Sequence, residues 1–184
     1  ILDTNGSYSF VSTETISFGV GGPVSSMSSA YGVEVYHFTD TIDFPSNGYY
    51  MIKWTDCCRN GAIVNMANPL SESMSFLTYV NVDSASPNSS PTFLAPPVSY
   101  LPANTLWQYN PLPFDPDGDS LVWHLSVPLS AGMSVPALVM GYEYLSDTTY
   151  SNATGLFSID SITGAVTWDA KMVGNFVASF AVEE

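Results

Sequence analysis

Short runs of alternating apolar and polar residues recur along the chain. They cover residues 7–12, 32–38, 49–55, 75–82, 120–125, 155–159, 165–168 and 175–182, and are rich in Val, Thr and aromatic residues. A period of two puts successive side chains on opposite faces of a strand. Clusters of Gly, Pro, Asn and Asp separate the runs, and no window carries the i, i+3, i+4, i+7 apolar stripe of an amphipathic helix. The pattern predicts an all-β fold. Residues 107–110, Trp-Gln-Tyr-Asn, add one more short strand, and Phe176, Ala178, Phe180 and Val182 mark one face of a last one.

The pattern breaks once near the middle. Residues 83–91, Asp-Ser-Ala-Ser-Pro-Asn-Ser-Ser-Pro, hold no large apolar side chain. A Pro- and Ser-rich break of this kind predicts two domains, 1–86 and 87–184, each of a size usual for an antiparallel β-sandwich. A long surface loop within one larger sandwich is the alternative.

Composition narrows the function. The 184 residues carry three basic side chains, Lys53, Arg59 and Lys171, against seventeen Asp and Glu, for a net charge of −14. Disorder is excluded by 46% hydrophobic and 14% aromatic content. Three cations cannot replace the counterions of a nucleic acid, and an anionic membrane surface repels the chain. No apolar run is long enough for a membrane span, and no signal peptide opens the sequence. Ile1 and Glu184 are read as cuts in a longer polypeptide.

Some of the acidity is concentrated. Asp115, Asp117 and Asp119 alternate through Asp-Pro-Asp-Gly-Asp, where mutual repulsion is costly unless a cation neutralises it. A hard divalent ion suits such a loop, since Ca²⁺ accepts about six to eight oxygen ligands. The EF-hand is a poor match, because the twelfth position from Asp115 is Ser126 rather than Glu. A solvated acidic turn is the alternative.

The run from Asp115 to Trp123, followed by Phe157-Ser158-Ile159-Asp160 and Thr163-Gly164-Ala165-Val166, resembles cadherin-like repeats. These carry an Asp-x-Asp loop before one strand and a Phe-x-Ile-Asp-x-x-Thr-Gly phrase before another. Residues 83–93 are similar to the linker between such repeats. With residues 57–65, Cys-Cys-Arg-Asn-Gly-Ala-Ile-Val-Asn, the chain looks like immunoglobulin-like or cadherin-like modules of large Bacteroidetes cell-surface proteins, many associated with gliding motility. The resemblance implies tandem sandwiches, calcium, an extracellular location and adjacent repeats of the same polypeptide. It makes Asp115 and Asp117 calcium ligands and lets Asp119 ligate where the family often has Asn. Asp83 and Asn88 match its linker ligands loosely, so one ion is expected rather than three.

Cys57 and Cys58 are the only cysteines and are adjacent. Neighbouring Cα atoms stand about 3.8 Å apart, below the usual disulfide span of about 4.4–6.8 Å. A vicinal disulfide can still close as an eight-membered ring. Two reduced, buried thiols, or pairing outside this stretch, are the alternatives. Arg59 is expected to pair with a carboxylate such as Asp56, with recognition of an acidic ligand as the alternative.

Enzymatic motifs are missing: no nucleophile elbow, phosphate loop or His-Glu-x-x-His is present. His37 and His124 are read as strand residues. A non-catalytic adhesion module or calcium-stiffened spacer is therefore expected, with a surface protein or glycan as partner. A carbohydrate-binding module is the second expectation, with Trp107, Tyr142 and Tyr144 as its ligand patch. Trp123 and Trp168 are assigned to packing.

Overall fold

The computed structural model describes residues 25–28, 33–36, 41–132, 137–152 and 156–184. The strand expected at 7–12, and His37, lie outside these. Among the described residues the regular structure is β-strand, with one 3₁₀ turn at Pro69–Ser71. No helix there is long and apolar enough to cross a membrane.

The strands are β1 (Ser25–Ser28), β2 (Val33–Tyr36), β3 (Gly48–Asp56), β4 (Met74–Val82), β5 (Thr92–Phe93), β6 (Leu106–Tyr109), β7 (Pro113–Phe114), β8 (Val122–Ser126), β9 (Leu129–Ser130), β10 (Ala137–Leu138), β11 (Ser158–Ile159), β12 (Val166–Asp169) and β13 (Ser179–Glu183). They pair antiparallel as β1-β2, β10-β9-β4-β3, β11-β12-β6, β13-β8 and β5-β7. The all-β expectation holds.

The chain forms two compact units. The smaller comprises Ile1–Met51 and Tyr79–Pro87, the larger Ile52–Thr78 and Asn88–Glu184. In the smaller unit Tyr50 is buried against the Phe44 ring, and its hydroxyl donates to the Ser46 carbonyl at 2.7 Å.

The larger unit has the better-defined core. Leu145, Tyr150, Phe157, Val166, Trp168 and Ala170 are buried together, with Trp107, Tyr109, Phe176 and Phe180 packed on them. β12 shows how the sequence builds it: Val166 and Trp168 point in while Thr167 and Asp169 are half-covered, the alternation a pleated strand imposes. The Trp168 indole N–H donates to Ser151 Oγ at 2.8 Å, and Ser151 Oγ donates to the Leu145 carbonyl, so the polar atoms of these two side chains are satisfied. Asn65 is fully buried and works as a clamp. Its Nδ2 donates to the carbonyls of Glu143 and Val177, and its Oδ1 accepts the Val177 N–H.

Trp123, the second residue of β8, is 3% exposed and lies between the rings of Phe93 and Phe180. The Thr-Gly phrase explains its seat. Asp160 Oδ1 accepts the N–H groups of Ile162 and Thr163 and the Thr163 hydroxyl, and the Gly164 N–H returns to the Asp160 carbonyl at 2.9 Å. Gly164 stands at φ +68° with the Trp123 indole directly over it. Only glycine suits a left-handed residue under a buried ring.

Candidate metal centre

The acidic loop runs from β7 to β8 and is anchored at both ends. β7 pairs with β5, and β8 is zipped to β13 by five residue pairs from Ser179↔Ser126 to Glu183↔Val122. Between them Asp115 folds its side chain back into its own loop. Its Oδ1 accepts the N–H of Asp117 at 2.9 Å and of Asp119 at 3.1 Å. The Gly118 N–H closes the turn on the Asp115 carbonyl at 3.3 Å, with Gly118 at φ +85°. These bonds, the Asp119 amide foremost, hold the Asp115 carboxyl below the ordinary carboxylate value against the opposing effect of burial.

The second oxygen of Asp115 is the notable one. The residue is 8% exposed, and Oδ2 is buried with no amide or hydroxyl donating to it; the neighbouring Glu184 carboxyl, in its protonated form, is the side chain that donates to Asp115. Asp115, Asp119 and Glu184 each bring a carboxylate oxygen to within 4.8 Å of the others. Glu184 is pushed above its ordinary value, first by burial and then by the Asp115 and Asp119 carboxyls, with an Asn88 hydrogen bond acting the other way. Like charges converging on this buried oxygen are stabilised by a cation. The donor set is all oxygen, which fits a hard divalent ion such as Ca²⁺, with carbonyl and water oxygens completing the shell.

The remaining expected ligands have other bonds. Asp117 Oδ2 accepts the Ser89 N–H at 2.6 Å, and Asn88 Nδ2 donates to Glu184 Oε1 at 2.6 Å. Residues 88–89 thus brace the loop and the end of β13. Asp83 belongs to the smaller unit, where its Oδ1 accepts Asn47 Nδ2 and the Ala85 N–H. Glu184 was not anticipated as a ligand. Its signal is tertiary: antiparallel pairing of Glu183 with Val122 carries the next residue to the acidic loop.

Cys57 and Cys58, both exposed, are joined to each other as a disulfide. Arg59 departs from the expected ion pair with Asp56. Asp56 Oδ1 accepts the Cys57 N–H instead, and the buried Arg59 guanidinium donates to the carbonyls of Ser73 at 3.2 Å and Leu129 at 2.7 Å. Burial lowers the Arg59 pKa, opposed by the Glu72 charge. It acts as a staple between backbone segments.

Trp107 lies opposite Trp168 in the β6–β12 register, half-buried, stacked on Tyr109 at 5.7 Å and packed on the core. Tyr142 is also half-buried, its hydroxyl donating to the Val177 carbonyl at 3.4 Å. Tyr144 is 43% exposed, edge-on to Tyr142. His124 is exposed on β8, 3.9 Å from Glu183. Against protein-family models, curated proteins and solved structures, the chain finds no match.

Proposed function

We propose that this chain is a non-catalytic, calcium-binding module of a bacterial cell-surface or secreted adhesin. It is read as two antiparallel β-sandwiches in tandem that serve adhesion or act as a calcium-stiffened spacer. The observation that carries the reading is the buried Oδ2 of Asp115, to which no amide or hydroxyl donates, in company with Asp119 and Glu184. An ion there ties the acidic loop to the end of β13, and through Asn88 and Asp117 to the segment at 88–89. Three separate stretches of backbone then stiffen together. The Cys57–Cys58 disulfide supports an oxidising, extracellular setting, and the −14 charge suits a soluble exported surface.

A thermal melt with Ca²⁺ and with chelator is the test. At 100 times its dissociation constant a ligand adds about 2.7 kcal/mol, so Ca²⁺ is expected to raise the Tm by several degrees. Asp115→Asn keeps a carbonyl oxygen for the loop amides but removes the charge, and is expected to abolish that shift, as is Glu184→Gln. Asp83→Ala is expected to leave it intact. A melt indifferent to Ca²⁺ in the native chain removes the proposal.

A further inference from the structure

Cys57 and Cys58 close a disulfide between neighbouring residues, and both are exposed. A disulfide stabilises a fold chiefly by constraining the unfolded chain, and the effect grows with the number of residues in the closed loop. A bridge between neighbours encloses no loop, so this one contributes little of the usual stabilisation. Exposure has a different consequence. A thiolate can reach either sulfur from solvent, and accessible bridges are the labile, regulatory ones. The pair is better placed to be opened and closed than to hold the unit together.

The contacts on either side give its opening an effect. Asp56 Oδ1 accepts the Cys57 N–H at 2.8 Å, and the Arg59 N–H donates to the Glu72 carbonyl at 3.1 Å, so the peptide through the pair is pinned at both ends. Arg59 then turns inward, its Nε donating to the Ser73 carbonyl and its Nη2 to the Leu129 carbonyl. The bond to Leu129 matters because β9 is only two residues long. Among the described residues β9 meets β4 through the single pair Ser75↔Leu129, and its other neighbour, β10, is equally short. Arg59 is thus a second attachment of β9 to the larger unit, to which all these residues belong. The ring closed by the two cysteine side chains restricts rotation immediately before Arg59, and breaking it returns that freedom.

We propose that Cys57 and Cys58 form a reversible redox switch, opened by a dithiol, that sets how firmly Arg59 holds β9. One thiolate of the dithiol attacks a cysteine sulfur, the S–S bond breaks, and the other cysteine leaves as a thiolate. The second thiolate of the reductant then attacks its own sulfur in the mixed disulfide and releases the first cysteine. Two electrons and two protons pass to the protein, which gains two thiols, and the reductant departs as its own disulfide. A monothiol is a poor substitute. The freed cysteine is the chain neighbour of the mixed disulfide and expels a monothiol before a second molecule arrives. The switch uses none of the residues of the proposed calcium centre.

The test is hydrogen exchange of the intact chain when oxidised, after dithiothreitol and after reoxidation, with thiols counted by alkylation in the absence of denaturant. Dithiothreitol is expected to yield two alkylatable thiols in the folded chain, and glutathione at the same thiol concentration to do so at least about tenfold more slowly. Exchange at the Arg59 amide and across residues 129–130 is expected to quicken by about tenfold on reduction and to recover on reoxidation. Core residues 166–170 are expected to exchange alike in both states. The double variant Cys57→Ser, Cys58→Ser should match the reduced chain with or without dithiothreitol. Arg59→Met should leave 129–130 loose even when oxidised, so that reduction changes nothing there; if that variant does not fold, the serine pair carries the comparison. The proposal is overturned if thiols appear only in denaturant, if glutathione is as fast as dithiothreitol, or if 129–130 exchange alike in both states. Equal quickening at 166–170 also overturns it, since the bridge then serves the whole fold.

Discussion

Replacing Gly164 by alanine tests whether the Thr-Gly turn exists to seat Trp123. A β-carbon built on Gly164 lies 2.5, 2.7 and 2.8 Å from three atoms of the Trp123 indole. The ring cannot swing aside freely, because it is 3% exposed and flanked by Phe93 and Phe180. Forcing extra volume into such a site costs roughly 1–3 kcal/mol. The left-handed backbone at φ +68° adds about 1–2 kcal/mol for any residue with a β-carbon. The total, about 2–5 kcal/mol, is a large part of a domain's usual stability of about 5–15 kcal/mol. At about 2–4 °C per kcal/mol, the melt should fall by roughly 10 °C. Urea titration followed by tryptophan emission gives the free energy. A Trp123→Leu background separates the two contributions: with the indole gone, Gly164→Ala should cost only the backbone part, about 1–2 kcal/mol. A loss below about 1 kcal/mol in the native background, or equal losses in both, would refute the reasoning.

Three further outcomes follow from described contacts. Asn65→Ala leaves a buried amide and two carbonyls without their partner, for an expected loss of about 3 kcal/mol by urea midpoint; a loss under about 1 kcal/mol would mean water fills the gap. The phenols of Tyr142 and Tyr150 are both raised to about 12, the first by burial and the second chiefly by its hydrogen bond to Glu143. A raised folded pKa gives stability that is complete below the unfolded value near 10 and lost as pH climbs from there to about 12. Alkaline melts should therefore steepen in that window and flatten in Tyr142→Phe and Tyr150→Phe, whereas identical profiles would contradict the assignment. Asp160 has the opposite sign, being lowered by the Thr163 amide first and then by the Thr163 hydroxyl. Its contribution is complete above the ordinary carboxylate range and lost as pH falls through the lowered value, so Asp160→Asn should flatten the acid limb of Tm against pH.

Much of the strand content was legible because period-two alternation is a local signal. The runs at 49–55 and 75–82 become β3 and β4, and 165–168 becomes β12, with ends within a residue or so. Strands of two residues, such as β5, β7, β9 and β10, carry no period to read and exist through their partners. In sequence Trp107 is only a member of the expected ligand patch; in the strand Gln108 takes the outward side and Trp107 meets Trp168, a placement that depends on the β6–β12 register. The Asp-x-Asp loop announced the cluster, but Glu184 joins it from 65 positions beyond Asp119, through the β13–β8 register. Arg59 shows the same limit. A charged neighbour in sequence was the obvious partner, yet burial places the guanidinium against carbonyls instead.

The larger unit is not one continuous stretch of chain, and that has a consequence for how the protein can be cut, inherited or transplanted. Its Arg59 and Asn65 come from the segment before the Ser- and Pro-rich break, and Asn65 reaches Val177 across 112 positions. A fragment beginning at Asn88 would lack the clamp that satisfies Glu143 and Val177. A single protease nick between Asp83 and Ser90 would leave two peptides held to each other by that clamp, the arginine staple and the β4–β9 pairing. Gene rearrangement that moves this unit intact must carry both of its segments, Ile52–Thr78 and Asn88–Glu184, together with the stretch between them.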